Sequence, residues 1–77
     1  MKIEVHFFGP IRRPSDKQKI CIEINNSASV SDLLYTLGFK DKETQRVAVV
    51  IEGKRKKLTD KLNPNDLVRL VLLAGGG

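Results

Sequence analysis

The sequence contains one cysteine, one histidine, one tyrosine and no tryptophan. A lone Cys21 rules out an internal disulfide, and without a second cysteine or a histidine cluster it does not anchor zinc. That usage fits a reducing, intracellular compartment. Met1-Lys2-Ile3-Glu4-Val5-His6 lacks the apolar core of a signal peptide, and the apolar run near the other end is broken by Arg69. No membrane span is expected, and the chain reads as cytoplasmic. No Gly-rich loop followed by Lys and Ser or Thr is present to cradle phosphates, so no cofactor is expected on this chain. Seventy-seven residues leave little room for a catalytic cleft beside one core, and the chain is not expected to be an enzyme by itself.

What is present is a patterned chain. Hydrophobic residues make up 40% and charged residues of both signs 30%, enough apolar material for one core and too much for wholesale disorder. The formal net charge of +5 is compatible with an acidic partner and equally with ordinary solubility. Ile3, Val5 and Phe7 alternate with Lys2, Glu4 and His6, the period of a half-buried strand ending at Gly9-Pro10. After a turn-rich stretch over 10–18, Ile20, Ile22 and Ile24 alternate with Cys21 and Glu23, which predicts a second strand closing a hairpin. Ser29 stands three residues before Asp32 in capping-box order, Val30, Leu33, Leu34 and Leu37 form one helical stripe, and Gly38 suits the left-handed residue that ends a helix. Residues 40–45 are polar. Val47 to Ile51 is apolar on both faces, as in an interior strand; Gly53 turns the chain, and Asn63-Pro64-Asn65-Asp66 turns it again into a last strand from Leu67 to Leu73. The expected architecture is α+β: a β-grasp, or ubiquitin-like, mixed sheet with one helix across one face, spanning residues 1–73 and followed by a glycine tail at 74–77.

Gly75, Gly76 and Gly77 have no Cβ, cost backbone entropy to order and bury nothing, so packing gives no reason for them. A four-residue tail reaches about 13–14 Å, enough to thread a terminal carboxylate into a narrow cleft of another protein. A carboxylate needs activation, typically as an acyl-adenylate, before sulfur or an amine attacks it. On this reading Gly77 carries the reacting carbonyl, Gly75 and Gly76 permit threading, and a partner supplies ATP and magnesium. A frayed tail is the plainer alternative.

The combination resembles the MoaD/ThiS family of ubiquitin-like sulfur carriers across nearly the whole chain. Phe7-Phe8-Gly9-Pro10-Ile11-Arg12 is similar to the end of that family's first strand, Ser29-Val30-Ser31-Asp32-Leu33-Leu34 to its helix start, and Leu62-Asn63-Pro64-Asn65-Asp66 to the turn into its last strand; Gly76-Gly77 fall on its terminal diglycine. The sequence departs from the pattern at Leu72 and Leu73, at Glu52 and at the extra Gly75. The resemblance implies adenylation of Gly77 by a ubiquitin-activating-type adenylyltransferase and conversion to a thiocarboxylate. The Phe-Gly-Pro-Ile-Arg segment tilts the acceptor toward the large subunit of a molybdopterin synthase, ahead of other sulfur-acceptor enzymes. Conjugation to protein lysines as a ubiquitin-like modifier is the alternative.

Strand alternation sends Phe8, Ala48, Val50, Val71 and Leu73 to the face opposite the helix, an apolar patch beside the tail that is expected to dock partners. Lys54-Arg55-Lys56-Lys57 with Lys61 reads as a solvated basic turn, and Arg12 and Arg13 as docking or solubility charges. Nucleic acid is not the expected partner, because no aromatics interleave with these cations. His6 reads as a surface histidine, and Cys21 as a packed or half-exposed thiol facing away from the isoleucine stripe.

Overall fold

The computed structural model describes residues 1–9 and 18–73, with only the backbone of Leu72. The glycines at 75–77, together with Arg12 and Arg13, lie outside the described residues. Five strands, β1 (Lys2–Phe8), β2 (Lys19–Glu23), β3 (Val47–Ile51), β4 (Lys54–Lys56) and β5 (Leu67–Leu72), form one mixed sheet in the order β2-β1-β5-β3-β4. β1 and β5 run parallel, and every other neighbouring pair is antiparallel. The last strand therefore lies beside the first, as the element order predicts.

Helix α1 (Val30–Thr36) covers one face. Its stripe of Val30, Leu33, Leu34 and Leu37 joins Ile3, Val5, Phe7, Val49, Val68 and Leu70 in a single buried core, with Ile20 and Ile22 of the edge strand packed against it. The helix start is satisfied donor by donor. Ser29 Oγ accepts from the backbone N–H of Asp32 at 3.3 Å, and the Ser29 N–H donates to the Asp32 carboxylate at 2.9 Å. The Val30 and Ser31 N–H groups donate to the carbonyls of Asp60 and Leu58. All the N–H groups that helix geometry leaves open at this end thus find acceptors, two of them on a segment almost thirty residues away. At the other end Gly38 has φ +96°, its N–H donates to Tyr35 and that of Phe39 to Leu34, the Schellman pattern, with Phe39 and Leu34 both buried.

Besides the helix expected across the face, there is a second, shorter one. Asp41–Thr44 forms α2, a single turn whose Thr44 is buried and donates its hydroxyl to the Asp41 carbonyl. Four residues carry no hydrophobic period, so a polar connection was all that pattern could register there. The basic segment is a short edge strand, β4, joined to β3 by a two-residue turn in which Glu52 and Gly53 both have positive φ. Asn63-Pro64-Asn65-Asp66 turns with Asn65 at φ 67°, and the Asp66 carboxylate accepts from the Asn63 N–H.

Candidate functional site

Because side chains alternate along a strand, the face opposite α1 is built from the residues between the core positions. β1 contributes Glu4, His6 and Phe8, β5 contributes Leu67, Arg69 and Val71, and β3 contributes Ala48 and Val50. Register brings them together: Phe8 pairs with Val71, and Val71 in turn with Ala48, while Arg69 stands between His6 and Val50. A shallow depression of about 450 Å³ is lined by His6, Phe8, Val50, Arg69 and Val71.

The patch residues differ in what they present. Phe8 is 45% exposed and Val71 38%, large values for apolar side chains in the middle of a sheet. Val50 is half-buried and Leu73, just past β5, is half-buried with its N–H donating to the Arg46 carbonyl at 2.8 Å. Ala48 is only 8% exposed, so it belongs to the face but offers a partner little surface; its one methyl does not rise past its neighbours. Phe8, Val50 and Val71 are therefore the apolar centre of the site, at the end of β5 from which the chain continues toward the glycines.

Two residues enter the site that residue-by-residue reading left aside. His6 is not an open surface histidine: its side chain is 14% exposed and its Nε2 lies 2.5 Å from Glu4 Oε2. Arg69 lines the same depression. Alternation along β1 and β5 puts both on the outer face, and the parallel register brings them together. Cys21 faces outward as expected but is exposed rather than packed, because β2 is an edge strand. Among the described residues no group of three or more His, Cys, Asp or Glu side chains is placed to hold a metal, and no helix is long and apolar enough to cross a membrane. A second groove, of about 510 Å³, opens along the β4 edge beside α2, where Val47, Val49 and Leu58 meet residues 55–57 of the edge strand and the turn after it.

No protein-family model and no curated protein matches the sequence. Solved structures do match the fold. The crystal structure of small archaeal modifier protein 1 from Haloferax volcanii superposes with a TM-score of 0.76 at 17% identity, over 92% of this chain and 95% of that one. The solution structure of the Haloferax volcanii protein HVO 2177 gives 0.80 at 24% identity, over 100% of this chain and 87% of that one. A chain from the complex of subunits 1 and 2 of molybdopterin-converting factor from Helicobacter pylori gives 0.66 at 25% identity, with both chains covered in full. With that strand order and the helix on one face, the chain has the β-grasp fold of ubiquitin-like proteins, in its MoaD/ThiS-like form.

Proposed function

We propose that this protein is a sulfur carrier: a partner of the ubiquitin-activating type binds its outer sheet face and activates the carboxylate of Gly77. The observation that carries the reading is the exposure of Phe8 and Val71 in cross-strand register beside the end of β5. An apolar patch there costs solubility unless something covers it, and it lies where a docked partner would also meet the tail. The carboxylate oxygen attacks the α-phosphorus of ATP and pyrophosphate leaves; hydrosulfide then attacks the acyl carbon, AMP leaves and the sulfur gives up its proton, leaving a thiocarboxylate. ATP and magnesium belong to the partner. This chain is then the substrate of that step rather than its catalyst, in the cytoplasm, with the large subunit of a molybdopterin synthase as the favoured acceptor. The Helicobacter pylori neighbour, found in a two-subunit complex, supports a carrier that works inside a larger assembly.

The likeness to small archaeal modifier protein 1 favours a second reading, transfer of the same activated glycine to a lysine amine. Incubation with the activating enzyme, ATP and a sulfide source separates the two. Sulfur carriage gives a mass gain equal to exchange of one oxygen for sulfur at the terminus; modifier activity gives ladders of conjugates on other proteins. If neither product forms with an enzyme that adenylates other carriers, both readings fail.

A further inference from the structure

Five side chains, one from each strand, fall into one line across the outer face. His6 stands opposite both Lys19 and Arg69, and Val50 opposite both Arg69 and Arg55. The line crosses the whole sheet, about 19 Å at the usual strand spacing. It holds three permanent cations and no carboxylate. Among the described residues, Lys19, Arg69 and Arg55 meet no carboxylate within ion-pair distance, and the acid nearest to the line along β1, Glu4, is taken by His6. Phe8 and Val71 lie two residues further along their strands, about 7 Å away on the side of the tail. On the opposite side, Glu52 and Asp66 share a concavity with Arg69. The face is therefore banded: apolar nearest the tail, then cationic, then acidic.

We infer that the partner docking here presents an acidic band, with carboxylates set about 7 Å from its apolar contact on the side away from the tail. The inference rests on the docking reading above and adds the partner's chemistry and its orientation. Covering the apolar band takes water from the neighbouring cations, and a cation desolvated without a counter-charge opposes binding, so a fitting surface supplies carboxylates there. A protein surface satisfies both bands at once; a nucleic-acid backbone has phosphates for one and nothing apolar for the other.

The test is calorimetric titration of the full chain and its variants into the adenylyltransferase of the same organism, at low and high salt, with thermal unfolding checking that each variant folds. Arg69→Glu and Arg55→Glu are each expected to weaken binding about tenfold at low salt, with the loss shrinking at high salt, whereas Phe8→Ala weakens it at both. If Phe8→Ala weakens binding but both charge reversals bind like the unsubstituted chain, the acidic band is wrong and the docking face stands. If none of the three changes binding, both are wrong. Tight, salt-dependent binding of oligo-dT that is lost in Arg69→Glu would make the line a phosphate site and overturn the inference.

Discussion

Glu52 occupies the first position of the β3–β4 turn with φ 54°, a left-handed conformation that crowds the Cβ of most residues and suits Gly or Asn. Glu52→Asn is expected to raise stability by about 0.5–1 kcal/mol, a gain of a few degrees in Tm for a domain of this size, measured by thermal unfolding. An unchanged or lower Tm would mean that the Glu52 side chain makes compensating contacts. Gly38 is the converse case: at φ +96° with open space around its Cα, Gly38→Ala meets no neighbour, and its expected loss of about 1 kcal/mol is purely backbone strain. The two positions were unequally legible. A glycine after an apolar helical stripe announces its own conformation, but a glutamate gives no sign that the backbone will bend left-handed beneath it. The turn showed in the sequence only through Gly53.

At the scale of elements, α1 depends on its first turn. Ser29→Ala removes the acceptor for the Asp32 N–H and is expected to cost about 1 kcal/mol in denaturant unfolding. Asp32 has its carboxyl held below the ordinary aspartate range, first by the Ser29 backbone N–H and then by the Ser29 hydroxyl. A carboxylate whose folded pKa is depressed stabilises the fold above its unfolded pKa and loses that contribution as pH falls through the folded value. Part of the acid sensitivity below about pH 4 should therefore be Asp32's, and Asp32→Asn should flatten the stability profile there. A profile that keeps its shape in the variant would assign the acid transition to other groups. Deeper in the same helix, Leu34→Ala opens a cavity under a fully buried side chain and is expected to cost about 2–5 kcal/mol. Strands and this helix were readable because their periods of 2 and 3.6 sort residues onto a buried face. α2 was not, since one turn has no period and its place is fixed by the burial of Thr44.

At the scale of the molecule, the segment proposed to react follows directly on the central strand of the sheet. Deleting Gly76 and Gly77 is expected to abolish activation while leaving Tm within about a degree, because a glycine has no side chain to contribute to a core. Retained activation in that deletion would place the reacting group elsewhere. Which residues share the outer face could be counted off each strand separately. The banding could not, because Lys19, Arg69 and Arg55 fall into one line, with His6 and Val50 between them, only when β5 slots between β1 and β3. That same central position has a mechanical consequence. β5 is hydrogen-bonded along both edges, parallel to β1 and antiparallel to β3, and the Leu73 N–H adds a tie to Arg46 just beyond its end. Tension applied to the chain past residue 73 runs along β5 and loads both ladders sideways together, so they must yield as a set rather than unzip one bond at a time. An enzyme drawing the tail into its cleft would be hauling on an anchored rope.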